Sequence, residues 1–339
     1  MQTREKALAV TAEVGKAVLG KPEAILKIMM AMLARGHVLI EDIPGVGKTT
    51  LAQAFARAMQ LTQIRVQFTP DVLPSDIVGF SLYQKETGKF VYHPGAVACN
   101  LFLADEINRT SARTQSALLE VMEEGAVTVD GVTYPLARPF MVLATQNPVD
   151  FVGTYPLPEA QMDRFMFKLV VNNPSLEELK GIVTMTQKTM SEVANEACNA
   201  AQLLEMRETA NQIPVADEVL DFAMMLISAT HPDSECASEA AKKYVRLGSS
   251  PRGGQALISA AKVKALMNGR FNVSYSDIAS LAYPVLRHRM KMNFEAIAER
   301  ISPDEVIGMI LTEVAKKCNV RLGNEVPSAN RAGTNKKNK

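Results

Sequence analysis

Apolar residues first recur at helical spacing. Ile25, Ile28, Met29, Met32 and Leu33 fall on one side of a helix. Val18-Leu19-Gly20-Lys21-Pro22 separates it from an earlier helix, and Pro22 suits a first helical turn. The pattern then changes to short strand-like runs. These are His37-Val38-Leu39-Ile40, Leu101-Phe102-Leu103-Ala104, Phe140-Met141-Val142-Leu143-Ala144 and Phe167 to Val171, with Gln63 to Phe68 alternating in character. Helical stretches lie between them, such as Ala112 to Glu124 with Ala117, Leu118, Val121 and Met122 on one face. Strands apolar on both faces and separated by helices predict a parallel sheet between helical layers, a doubly wound α/β fold.

Two segments interrupt that alternation. Residues 76–94 read as a hairpin around Glu86-Thr87-Gly88, and 127–134 as a second one turning at Asp130-Gly131. Both read as loops mounted on the core, where such inserts often touch partners. Asn172-Asn173-Pro174 marks a domain junction, after which the pattern is helical: Glu196 to Arg207, Val219 to Thr230, Pro251 to Met267 and Ser276 to Ala282. The expected division is an α/β core at 1–172, a smaller all-α lid at 173–323 and a disordered tail at 324–339.

The candidate chemistry sits at strand ends. EDIPGVGKTT follows the first strand and opens a helix. Gly45 and Gly47 let backbone N–H groups turn around phosphate oxygens, and the helix N-terminus adds partial positive charge. Pro44, Val46 and Thr50 complete the loop. Lys48 adds a full charge, and the Thr49 hydroxyl is a ligand for Mg²⁺. Asp42 stands where the usual spacing has its first glycine, and an aspartate can hold that turn. A nucleoside triphosphate is therefore the expected ligand. The strand 101–104 ends in Asp105-Glu106. Asp105 is placed to order Mg²⁺, and Glu106, expected on the other side of the strand end, to deprotonate an attacking water. Asn147, after the strand at 140–144, is placed for that water or a γ-phosphate oxygen, and Asn147-Pro148 reads equally well as a turn.

Composition narrows the classes. Of 339 residues 47% are apolar, enough for a sizeable core, and 37 basic against 36 acidic residues leave a net charge of +1. That balance argues against a nucleic-acid-coating surface. No apolar run reaches the ~20 residues that span a bilayer. The N-terminus lacks a secretory pattern, and Cys99, Cys198, Cys236 and Cys318 are scattered, as expected of reduced cytoplasmic thiols.

Six stretches between about residue 18 and 290 carry a resemblance: 41–50, 67–79 (QFTPDVLPSDIVG), 101–125, 140–169, 250–266 and 284–290. The chain resembles MoxR-family AAA+ ATPases. The resemblance implies Walker A roles for Lys48 and Thr49, Walker B roles for Asp105 and Glu106, and a first sensor at Asn147. It implies an arginine finger at Arg164, acting on the nucleotide of a neighbouring subunit, and a second sensor at Arg252. It places Gly20 in the segment passing the adenine. Alone, Arg164 and Arg252 read as exposed surface arginines. The resemblance further implies ATP and Mg²⁺ as cofactors and self-association into a ring, usually a hexamer. A protein client and a separate partner with a von Willebrand factor A domain are also implied, and direct nucleic-acid binding is not. Arg109 and Arg287-His288-Arg289 receive no role, and the methionines read as core filler. An ATP-hydrolysing remodeller of protein complexes is the leading expectation. A slow-turnover scaffold and a nucleic-acid motor are the alternatives.

Overall fold

The computed structural model describes residues 2–42, 47–147, 155–171, 175–185 and 194–322. Packing divides the chain into two compact units, 1–209 and 210–339.

The first unit is built on a five-stranded sheet. Its strands are β1 (Val38–Asp42), β2 (Gln63–Gln67), β5 (Leu101–Asp105), β8 (Met141–Gln146) and β9 (Phe167–Val171). Their order is β2-β5-β8-β1-β9, and every pairing is parallel. The sheet is fully covered at its centre: every residue of β5 is buried, as are the first five of β8. This is why those strands read as unbroken apolar runs rather than alternating ones. β2, at the edge, keeps the alternating character of a strand with one wet side.

Helices clothe the sheet: α1 (Gln2–Ala17), α2 (Pro22–Leu33), α3 (Lys48–Ala58), α4 (Pro74–Val78), α5 (Ala112–Glu124), α6 (Glu159–Met162), α7 (Leu176–Met185) and α8 (Ala200–Asn211), the last crossing the boundary between the units. α5 lays Leu118, Leu119, Val121 and Met122 onto the face carrying Leu39, Phe102, Ala104, Val142 and Ala144. It starts where Ser111 accepts from Thr114 N and stops at Gly125, whose φ of 62° suits a residue without Cβ. Both expected hairpins exist, as β3 (Gly79–Gln84) with β4 (Lys89–Pro94) and β6 (Ala126–Val129) with β7 (Val132–Pro135). Tyr92 and Tyr134 stack between them at 4.0 Å. The first hairpin carries α4 ahead of it, which the turn-rich sequence did not announce.

The packing boundary falls later than the expected one after residue 172. Residues 194–209 bind back to the sheet unit: Ala197 and Cys198 donate to Ala58 O, and Arg207 Nε donates to Met32 O. The helix expected from Glu196 begins at Ala200 for that reason, since 197 and 198 are spent on α3.

The second unit holds α9 (Asp217–Ala229), α10 (Glu239–Tyr244), α11 (Pro251–Met267), α12 (Tyr275–Leu286), α13 (Phe294–Ala298) and α14 (Pro303–Lys317), with a ribbon of β10 (Val245–Leu247) and β11 (Lys291–Met292). α14 packs on α9, α10 and α12. Its start is marked by a reciprocal cap, Glu305 N to Ser302 Oγ and Ser302 N to Glu305 Oε2. The tail beyond 322 lies outside the described residues.

Candidate active site

The carboxyl ends of β1, β5 and β8 form the edge of the sheet where open α/β folds bind ligands, and β1, between β8 and β9, is the strand at which the order reverses. Each contributes an element of the site. β1 leads to Gly47, which sits at φ 82° and ψ 26° directly before α3. No side chain caps that N-terminus among the described residues, so the first N–H groups of α3 are available to an anion. Lys48, Thr49 and Thr50 form the first turn, each half-buried. Pro44, Gly45 and Val46 lie outside the described residues.

Asp105, the last residue of β5, is 8% exposed. Its Oδ1 accepts from Thr145 Oγ1 on β8 at 2.7 Å. Its Oδ2 receives Arg65 Nη2 at 2.6 Å and Nε at 3.2 Å. Arg65 lies on β2 and was not singled out as a site residue. The next residue, Glu106, has φ 57° and ψ 50°, a left-handed backbone that only a surrounding network sustains in a non-glycine residue. Its N–H donates to Thr145 Oγ1 at 2.9 Å, so one hydroxyl serves both acidic residues.

That conformation corrects the expectation that Glu106 points to the opposite side from Asp105. In a regular strand successive side chains alternate. The left-handed turn breaks the alternation and brings both carboxylates to one face of β2. Glu106 Oε2 accepts from Gln67 Nε2 at 2.8 Å and pairs with Arg109 Nε at 3.0 Å. Gln67 and Arg65 are two apart on β2, and Arg65 Nη2 donates to Gln67 Oε1 at 3.1 Å. Arg109, without an assigned role from sequence, therefore belongs to this cluster. It lies in the 3₁₀ turn Ile107–Arg109, which places its side chain back over Glu106.

Asn147 is 8% exposed just beyond β8. Its carbonyl accepts from Asn108 Nδ2 at 3.3 Å, which ties the end of β8 to the turn after β5. Gln115 of α5 braces the same turn from below, donating to Ile107 O, Thr110 O and Tyr155 O.

Arg164 lies just after α6, away from this cluster along the chain. Its Nη2 pairs with Glu123 Oε2 of α5 at 2.7 Å, with 28% of the arginine side chain exposed. Next to Glu123, Met122 O accepts from His37 Nε2 at 3.0 Å, while His37 Nδ1 accepts from Val142 N at 2.9 Å. The ring is thereby fixed in one neutral tautomer, and burial lowers its pKa from 6.5 to about 4. Gly20 has φ 73°, and Glu178 of α7 fills the space a side chain there would need. Arg252 belongs to the second unit. It is exposed in the first turn of α11, and its N–H donates to Ser250 Oγ at 3.2 Å. In the same unit Arg287 makes a two-pronged pair with Asp304 at 3.0 and 2.8 Å, while His288 and Arg289 are buried. No group of three or more His, Cys, Asp or Glu side chains that could hold a metal ion occurs among the described residues. No helix there is long and apolar enough to cross a membrane.

The residues fit a metal-bound nucleotide. An uncapped helix start with a lysine and a hydroxyl in its first turn suits phosphate, and a buried carboxylate at the carboxyl end of β5 suits a hard cation.

Comparisons with known proteins agree with this geometry. The ATPase family associated with various cellular activities (AAA) matches residues 37–167, and the AAA lid domain matches residues 237–310. Chaperone MoxR1 of Mycobacterium tuberculosis is 40% identical, over 89% of this chain and 80% of its own length. The uncharacterized protein YeaC of Bacillus subtilis is 42% identical, over 89% of this chain and 92% of its own. A solved structure from Cytophaga hutchinsonii, whose ATPase assignment is provisional, superposes with a TM-score of 0.85 at 39% identity, covering 92% of this chain and 94% of that one. With an AAA+ core, a helical lid and relatives of this similarity along most of its length, the chain belongs to the MoxR family of AAA+ ATPases.

Proposed function

We propose that this protein hydrolyses ATP with Mg²⁺ in a ring of its own copies and uses the cycle to remodel or activate protein complexes. The observation that carries the reading is the paired carboxylates. Asp105 is buried at the end of β5, and Glu106 is turned out of the strand by a left-handed backbone and held by Gln67 and Arg109.

In this reading the N-terminus of α3, Lys48 and Thr50 hold the triphosphate. A magnesium ion bound through Thr49 and Asp105 would neutralise charge on the phosphate oxygens. Glu106 takes a proton from a water whose oxygen attacks the γ-phosphorus. The bond from that phosphorus to the bridging oxygen breaks, its electrons stay with ADP, and phosphate leaves. Asn147 orients the water. A carboxylate following the metal-binding one favours water over a substrate hydroxyl as nucleophile. Arg164 serves a neighbouring copy: its guanidinium moves from Glu123 to the γ-phosphate held next door, so one copy alone lacks a complete site. The client and a partner with a von Willebrand factor A domain belong to the same proposal, supported by kinship with a relative named as a chaperone.

The test is steady-state phosphate release by wild type and Glu106→Gln. The variant is expected to bind nucleotide as wild type does and to turn over at least ~100-fold more slowly. Unchanged turnover would remove Glu106 from the chemistry.

A further inference from the structure

We infer that Glu123 is the resting dock of the Arg164 guanidinium and competes with the neighbouring copy's nucleotide for it, so that Glu123 sets how readily the finger is delivered. The inference rests on the reading of Arg164 as a finger that acts between copies.

The docked pose leaves the arginine incompletely satisfied. Nη2 meets Glu123 Oε2 at 2.7 Å, whereas the Nε atom is buried and has no hydrogen-bond partner among the described residues. A side-on fork would place Nε and Nη2 together on one carboxylate. Here Nε takes no part, and a buried donor without an acceptor is unfavourable. Solvent weakens the pair further, since 28% of the arginine side chain and 37% of the glutamate side chain are exposed. The dock therefore holds the guanidinium without trapping it.

The two partners differ in what can move. Glu123 lies in the last turn of α5, which is fixed on both sides: Met122 O accepts from His37 Nε2, and Gly125 N donates to Val121 O. The backbone at Arg164 is anchored as well. Phe165, next to it, is fully buried, and its N–H donates to Met162 O. The carboxylate stays, and the guanidinium leaves by rotation of its own side chain. A γ-phosphate offers the planar fork more oxygens and more charge than one carboxylate. The neighbour's nucleotide thus wins the guanidinium, but only after displacing Glu123. Glu123 acts through Arg164 and touches no reacting atom, so it is a positioning residue.

The test measures binding of N-methylanthraniloyl-ADP with aluminium fluoride, a mimic of the phosphoryl group in transfer, to the full chain at ring-forming concentrations. Wild type, Glu123→Gln, Glu123→Ala and Glu123→Asp are compared, each with and without Arg164→Ala. Removing the charge is expected to tighten binding of the mimic about two- to fivefold. Binding of the ADP derivative without fluoride should not change. Glu123→Asp, which keeps the charge, should stay near wild type. With Arg164→Ala present, the Glu123 substitutions should have no effect. Unchanged or weaker binding of the mimic by both neutral variants, or an equal gain with and without Arg164, would overturn the inference. The finger reading survives that result if Arg164→Ala alone weakens the mimic. Equal binding of the mimic by wild type and Arg164→Ala would remove both.

Discussion

His37 offers a quantitative check on how the site-bearing sheet is held. Its ring is clamped between Val142 N and Met122 O, so it joins β8 to the last turn of α5, one residue from the Glu123 that holds Arg164. Burial is the main cause of its low pKa, and the charge of Arg207 pushes the same way, against the hydrogen bond to Met122. A fall from 6.5 to about 4 corresponds to about 3 kcal/mol of preference for the neutral ring in the folded chain. The sign follows from proton binding. Between these values the unfolded chain holds the extra proton, so stability rises with pH across that window. The contribution is complete above 6.5 and lost as pH falls towards about 4. Going from pH 8 to pH 5 should cost about 2 kcal/mol through this residue. Urea unfolding followed by circular dichroism measures it when wild type is compared with His37→Gln, which cannot titrate. The variant should be less stable at pH 8, and the gap should narrow by about 2 kcal/mol at pH 5. Parallel pH dependences would refute the reasoning.

Two further outcomes are expected. Gln67→Ala removes one of the two groups that hold Glu106 and should raise turnover at limiting Mg²⁺ by about two- to tenfold; a fall in turnover would mean that Gln67 aligns the base for reaction. Cys99 and Cys198 are buried, with thiol pKa values pushed up to about 11 by desolvation. A thiol reagent at pH 8 should therefore modify only Cys236 and Cys318 in the native chain, and rapid labelling of either buried thiol would contradict the packing.

The sheet was legible because burial on both faces imposes an unmistakable composition, as in Leu101-Phe102-Leu103-Ala104. Asp105 and Glu106 were legible because they end such a run. The rest of the cluster was not. Arg65 and Gln67 alternate with Ile64 and Val66, the ordinary signature of an edge strand. Nothing in that alternation says that their polar side faces two carboxylates some 40 residues further along the chain. Glu106 could be named, but its direction could not, since its left-handed backbone depends on Thr145, Gln67 and Arg109 together. In the second unit a readable signal went unused: Ser302-Pro303-Asp304-Glu305 carries the cap that starts α14.

The central claim is that the active site is shared between copies, and mixing two inactive variants tests it. Glu106→Gln lacks the base but keeps Arg164. Arg164→Ala keeps the base but lacks the finger. Each alone should be nearly inactive. In rings assembled from an equimolar mixture, about a quarter of interfaces should pair an intact base with an intact finger, restoring about a quarter of wild-type ATP turnover. No recovery on mixing, or full activity of Arg164→Ala alone under ring-forming conditions, would contradict it.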